Sequence, residues 1–447
     1  MGNIDRELFT NELLRQNPWW IDRRAMAEDP KIAKRDIYEE VLERVSKNEL
    51  ITAVTGLRRV GKTTLIRQII NNLLSETTDR QKITYFSFEE ATIAAIPELL
   101  ERIITYQLKK HPHGKLYFFF DEIQYVNLWN AILKKYFDSE RRLKFVITGS
   151  SSLFIKTSAY ETLAGRILET IMYPLSFGEY LRLFKKTHVP HNSMFSYEKL
   201  FPYKEILEEE FFNYITFGEF PYLVKLSSFS DQKQYILDWV IAKIVESDLP
   251  KMRRFVRADE LSNLSNSLIS GSGQLVEFLN LASDFHLDRK TLAKYIDLLV
   301  KTRLIGAIFN YGGSFRTRSI RQRKIYPSSV NALVFKITSG IGTESFLLKI
   351  GQIVENFVFN YLWRMGDKLY FWRQRGREVD FILETSDGIM PIEVKYQSKV
   401  KKDDLKNLIY FGKKKKLKRV LVVTKNDFGK KIIDGLEVNF IPAYYMV

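Results

Sequence analysis

The stretch Gly56-Leu57-Arg58-Arg59-Val60-Gly61-Lys62-Thr63-Thr64 constrains this chain more than any other. It follows the apolar run ELITAVT and precedes LIRQII, so the pattern G-x-x-x-x-G-K-[S/T] falls between an expected strand and an expected helix. Gly56 and Gly61 let the backbone wrap closely enough for the N–H groups of Leu57, Arg58, Arg59, Val60 and their neighbours to face phosphate. Those donors open a helix, whose dipole favours negative charge. Lys62 is expected to reach the β- and γ-phosphates. The Thr63 hydroxyl should bind Mg2+, with Thr64 completing the loop. ATP and Mg2+ are therefore the expected ligands.

The runs KITYFSF, KLYFFFDEI and LKFVITGSS around this loop are continuously apolar, as strands buried on both faces are. KLYFFFDEI ends in Asp121-Glu122, at the carboxyl end of a strand, where ligands bind in open α/β sheets. Asp121 is expected to hold Mg2+, directly or through water. Glu122 is expected to polarise the attacking water as a general base, which favours hydrolysis over transfer to a substrate. VITGSSS brings Thr148 and Ser150 to the same edge, either to sense the γ-phosphate or simply as a Ser-rich turn.

With 447 residues the chain exceeds one typical core and implies two to four domains. It has no Cys and only five scattered His, which excludes disulfides and thiolate sites and argues against structural zinc. No run approaches the roughly 20 apolar residues of a membrane span. The N-terminus mixes charges throughout, so a cytoplasmic protein is expected. The 69 Lys and Arg against 53 Asp and Glu leave a net charge of +16. Such an excess points to an anionic partner, DNA first among nucleic acids, with solubility alone as the plainer reading.

Residues 1–47 read as a helical segment, 48–180 as the P-loop parallel-sheet core and 181–260 as a helical lid. In 261–340, Leu275, Phe278 and Leu279 form one apolar face. Asp288 can N-cap a second helix carrying Leu292, Tyr295, Ile296 and Leu299. The pair fits a winged helix, with Arg289, Lys290 and Lys294 outward, the strand LIGAIF, and a wing bearing Arg316, Arg318, Arg321 and Arg323. Such modules contact DNA, dock proteins or serve as lids.

Residues 341–447 return to mixed α/β and contain REVDFILETSDGIMPIEVK. A turn at Asp387-Gly388 would pair Phe381 with Val394 and Asp380 with Lys395. Phe381, Leu383, Ile392 and Val394 then line an apolar face, while Asp380, Glu393 and Lys395 converge on the other. A slip of two residues in the pairing would keep that convergence; a bulge would scatter it. Two carboxylates holding a second Mg2+, or Mn2+, beside a lysine that orients the nucleophile would suit phosphodiester cleavage. The plainer reading is a charged edge that blocks strand pairing. Eleven Lys or Arg against two Asp in 395–419 could track a nucleic-acid backbone, or be solvated helix ends.

TGLRRVGKTTL, FFFDEIQ, ITGSSS and LAGRILETIMYPLSFGEYL together resemble prokaryotic AAA-type ATPases with a nuclease-like C-terminal domain of unknown function. The resemblance runs from Asn17-Pro18-Trp19-Trp20 to Glu393-Val394-Lys395. It implies Arg166 as an arginine touching phosphate in cis or across a subunit, against a surface salt bridge. The order of helix Glu, strand Asp and hairpin Glu-x-Lys resembles the PD-(D/E)xK nuclease superfamily, with Glu355 as the helix acid. That resemblance implies a restriction-endonuclease-like α/β domain. In the family, Lys-x-Tyr is closely followed by an Asp; KIYPSS here supplies Ser328 and Ser329 instead. The resulting expectation is a multi-domain α/β ATPase that hydrolyses ATP with Mg2+ and engages DNA. The alternative is a nucleotide-operated switch that binds DNA or protein without cutting. Oligomerisation is left open.

Overall fold

The computed structural model describes residues 3–47, 49–77, 79–89, 98–149, 162–190, 198–252, 255–312, 323–340, 342–366 and 368–447. Two compact units, Met1–Met172 and Tyr173–Val447, divide the chain. No described helix is long and apolar enough to cross a membrane.

In the first unit, β1 (Ile51–Thr55), β2 (Ile83–Ser87), β3 (Leu116–Asp121), β4 (Leu143–Gly149) and β5 (Ile167–Ile171) form a parallel sheet in the order β2-β3-β4-β1-β5. The first four are the expected apolar runs. β5 lies in a shorter run interrupted by Glu169 and Thr170, so its pattern alone does not announce a strand. Strand β2 is an edge, and an edge presents unpaired backbone groups. The segment Gln16–Trp20 closes it. Asn17 accepts from the Tyr85 N–H at 2.7 Å and donates to the Tyr85 carbonyl at 2.9 Å. The Trp19 and Trp20 indoles both donate to the Ile83 carbonyl, and Gln16 accepts from the Ser87 N–H. The aromatic Pro18-Trp19-Trp20 knot therefore acts as an edge strand built from side chains.

In the second unit, β6 (Leu275–Val276), β7 (Ile305–Asn310), β8 (Arg323–Pro327), β9 (Lys368–Gln374), β10 (Arg377–Thr385), β11 (Gly388–Lys395), β12 (Arg419–Thr424), β13 (Gly429–Ile433) and β14 (Leu436–Pro442) share one mixed sheet. Its order among the described residues is β13-β14-β12-β11-β10-β9-β7-β8-β6. The three strands from 261–340 thus extend the sheet of 341–447. The join is β7 against β9, where Phe309 pairs with Tyr370. Asn310 reinforces it by bonding both the N–H and the carbonyl of Arg373.

One face of this sheet packs on the helices Lys204–Phe217, Val330–Ile337 and Glu344–Arg364, burying Phe211, Tyr214, Phe357, Phe381 and Ile392. The other face takes the helix Lys406–Lys414 over Trp372, Val379 and Ile382. Lys413 and Lys414 close that helix, where cations suit the dipole. The 181–260 region is helical as expected. It includes an unusual π-helix at Tyr235–Asp248, a form found mostly as single turns.

Asp288 caps the helix Arg289–Lys301 as expected, accepting from the Lys290 and Thr291 N–H groups, and Leu292, Tyr295, Ile296 and Leu299 are all buried. The preceding element departs from expectation. Leu275 lies in a strand, the helix runs Phe278–Asp284, and Leu279 points outward at 57 % exposure, because Ala282 takes the buried place. Arg316, Arg318 and Arg321 lie outside the described residues.

Candidate functional site

The phosphate loop has the backbone its glycines were expected to permit. Gly56 (φ +153°) and Gly61 (φ +103°) sit at its two ends, and Gly61 caps the helix Lys62–Glu76. A Cβ on Gly56 would lie 2.1 Å from the Met172 carbonyl oxygen, so close approach requires glycine there as well. Leu57 and Val60 are buried, and Arg58 is engaged by Glu89 at 2.7 Å. Arg59, at φ +67°, is exposed. The loop therefore offers backbone donors while most of its side chains anchor it. The Lys62 ammonium donates to the carbonyls of Gly56 (3.2 Å) and Leu57 (2.9 Å), folded over the loop it serves.

Asp121 is the hub. Its carboxylate accepts from Thr63 Oγ1 at 2.7 Å, from Tyr85 Oη at 3.0 Å and from the Thr148 hydroxyl. Burial, and then the charge of Glu122 beside it, pushes the Asp121 carboxyl above its usual range, which a cation would reverse. Thr63 and Asp121 present two neighbouring oxygens, the kind of donor set Mg2+ takes together with substrate phosphate and water. These residues fit that ion. Glu122 has left-handed backbone (φ +51°); its N–H donates to Thr148 Oγ1 at 3.1 Å, and its carboxylate accepts from the Gln124 amide. Thr148 thus ties the two acids together. Tyr85 was missed by sequence reasoning: it stands in KITYFSF level with Phe119, and its hydroxyl reaches forward along the sheet to Asp121. Ser150 lies outside the described residues.

The Arg166 guanidinium forks onto Asp138, at 2.7 and 3.2 Å, on the exposed surface. Of its two readings, the surface ion pair is the arrangement seen.

A polar cavity of about 480 Å³ adjoins Thr63 and Asp121, lined further by Arg15, Trp19, Arg67 and Tyr85.

The second cluster lies in the other unit. The hairpin pairs Phe381 with Ile392 and Thr385 with Gly388, so the turn is Ser386-Asp387, two residues out from the expected pairing. The expected apolar face survives this even slip: Phe381, Leu383 and Ile392 are core, with Val394 against them. A bulge does interrupt β10, between Val379 and Ile382 on the side facing β9. It moves Val379 to the opposite core from Phe381. Asp380 sits inside it, re-aimed rather than scattered. Its carboxylate accepts from the Val394 N–H at 2.9 Å, and its charge reaches both Glu355 and Glu393. Lys395 donates to Glu393 at 2.7 Å. Glu355, Asp380, Glu393 and Lys395 are thus brought together.

Three further residues join them. Lys324 from β8 lies 2.7 Å from Glu378, 3.5 Å from Glu355 and 3.8 Å from Asp380. Tyr326 donates to Glu355 at 2.7 Å. Burial and then Asp380 push Glu355 up to about 7 and Glu393 up to about 8. Burial alone would lower Lys324; Glu355, Asp380 and Glu378 overcome it and hold the ammonium charged well above its usual range. Among the described residues, no group of three or more His, Asp or Glu is placed to hold a metal. Of the expected ligands, Glu355 and Asp380 face the Lys324 ammonium and Glu393 pairs with Lys395 instead, and as they stand they do not fit a divalent ion. The visible signal for Lys324 and Tyr326 was the Lys-x-Tyr of KIYPSS. Ser329, in place of the acid, caps the helix Val330–Ile337 and donates to buried Glu219.

Comparison with known proteins gives three matches along the chain. Residues 48–181 match "AAA domain", while 208–330 and 350–444 match two domains of unknown function, DUF8612 and DUF4143. An uncharacterized protein of Haemophilus influenzae is 25% identical over 420 residues, covering 91% of this chain and 97% of that one. An uncharacterized protein of Methanocaldococcus jannaschii, MJ1544, is 26% identical over 397 residues, covering 85% of this chain and 80% of its own. Among solved structures, the Aeropyrum pernix ORC1 protein in complex with DNA aligns with a TM-score of 0.31 and 14% identity, over 68% of this chain and 94% of that one. C. elegans PCH-2 aligns at 0.27 and 12%, over 50% and 61%. With its loop, Asp121 hub and, among the described residues, five-stranded parallel sheet, the segment 48–181 has the P-loop α/β fold and is similar to AAA domains.

Proposed function

We propose that the protein hydrolyses ATP with Mg2+ and couples that turnover to engagement of DNA. The observation that carries the first half is the junction of Thr63, Asp121, Thr148 and Glu122 at the carboxyl end of β3, beside Lys62. Lys62 would exchange its loop carbonyls for β- and γ-phosphate oxygens. Thr63 and Asp121 would hold Mg2+, which neutralises charge on the phosphates. Glu122, released from the Gln124 amide, would orient and deprotonate the attacking water. Engagement of DNA is argued from the +16 charge and from the exposed Arg289, Lys290 and Lys294 on the capped helix of a winged-helix segment. The test is Lys62→Ala: ATP turnover should fall to background, while any metal-dependent cleavage survives. Normal turnover by that variant would refute the assignment.

A second reading is favoured by the lysine inside the C-terminal cluster. There the 341–447 domain, expected from its sequence to be restriction-endonuclease-like, acts as the binding arm of a nucleotide-operated switch. Incubating wild type, Asp380→Ala and Lys395→Ala with Mg2+ or Mn2+ and DNA or RNA separates the two. Cleavage by wild type that both variants lose supports a nuclease; its absence throughout supports the switch.

A further inference from the structure

The C-terminal cluster is walled on one side by residues from the 261–340 segment, which precedes it in the chain. Lys324 and Tyr326 come from β8, and Gly273, which bonds the Ile325 carbonyl, lies so close that a Cβ there would stand 2.9 Å from Glu355 Oε1. Within that wall stand four carboxylates, Glu355, Glu378, Asp380 and Glu393, and two ammonium groups, Lys324 and Lys395. Lys324 is 4 % exposed and addresses three of the four acids, with Glu378 nearest at 2.7 Å. The distance to Glu378 is that of a charge-assisted hydrogen bond, not of a metal contact. Glu393 is 5 % exposed, and its Oε2 has no protein partner. Glu355, Glu378 and Asp380 therefore surround the Lys324 ammonium, while Glu393 pairs with Lys395 through one oxygen and keeps the other buried.

We propose that Lys324 is the resident cation of this cluster, and that its ammonium and a divalent ion are mutually exclusive occupants. A second cation cannot enter among Glu355, Asp380 and Glu378 while Lys324 remains, because like charges at such separation in a buried site repel strongly. Loading with metal requires Lys324 to leave, and Lys324 is fixed to β8. The inference rests on reading Glu355, Asp380 and Glu393 as metal-type ligands.

The test is Mn2+ binding by full-length protein without nucleotide, read by electron paramagnetic resonance, with Asp380→Ala defining the C-terminal site. Wild type should show no Asp380-dependent site. Lys324→Met should gain one, tighter by roughly tenfold or more, on the scale of outer-shell effects on metal sites, and Lys324→Met/Asp380→Ala should lose it. An Asp380-dependent site in wild type as tight as in Lys324→Met would overturn the proposal, and so would a folded Lys324→Met that gains none. If Lys324→Met does not fold, Lys324→Gln, checked by circular dichroism, takes its place, and the wild-type measurement alone can still refute the idea. Mn2+ gained without DNA cleavage would remove the nuclease reading and leave this proposal standing. Wild-type cleavage with a tight Asp380-dependent site would do the reverse.

Discussion

Glu393 illustrates what a single buried acid does to the chain that carries it. Its carboxyl is lifted to about 8 and that of Glu355 to about 7, by burial first and then by Asp380. A raised carboxyl means that the folded state holds a proton the unfolded state has released. Stability from this source is full below the ordinary carboxylate range and is lost as pH rises towards 8. Apparent Tm in chelator should therefore fall between pH 5 and pH 8, and Glu393→Gln, which cannot ionise, should flatten that fall. An unchanged pH dependence in the variant would contradict the assignment. At this scale the phosphate loop was fully legible, since Gly56, Lys62 and Thr63 are fixed by a contiguous motif. Lys324 was not, because its partners lie 31 to 56 residues away in sequence and only the fold unites them.

Among elements, β2 shows how an edge is protected without another strand. Asn17 substitutes for two ladder bonds and the indoles of Trp19 and Trp20 cap Ile83. Asn17→Ala would leave the Tyr85 N–H and carbonyl unsatisfied in a buried position. Its expected cost is about 1–3 kcal/mol of stability by denaturant titration. A change under about 0.5 kcal/mol, the usual range of surface substitutions, would show that the edge is satisfied otherwise. The buried strands of the first sheet were readable because parallel strands covered on both faces are continuously apolar. The hairpin was readable in its faces but not in its turn: alternation fixes parity, and parity is blind to a slip of two residues. The bulge in β10 left no mark in the pattern, because the residues flanking Asp380, Val379 and Phe381, are both apolar and simply serve opposite cores.

On the scale of the molecule, the segments read as separate pieces of 261–447 share one sheet, joined by the parallel pairing of β7 with β9. Pairings so distant in sequence carry no periodic signature, which is why a continuous sheet was not anticipated. The net charge of +16 is likewise a property of the whole chain. If it serves DNA engagement, DNA should stimulate ATP turnover, and the stimulation should collapse between about 50 and 200 mM salt as counterion release predicts. Stimulation indifferent to salt would detach the charge from function. The most direct measurement of the central claim is the pairing of ATP binding with ATP turnover in Glu122→Gln. This change spares Lys62, Thr63 and Asp121 and removes only the base. The expected result is nucleotide affinity close to wild type with turnover reduced about a hundredfold or more; turnover at the wild-type rate would contradict the account.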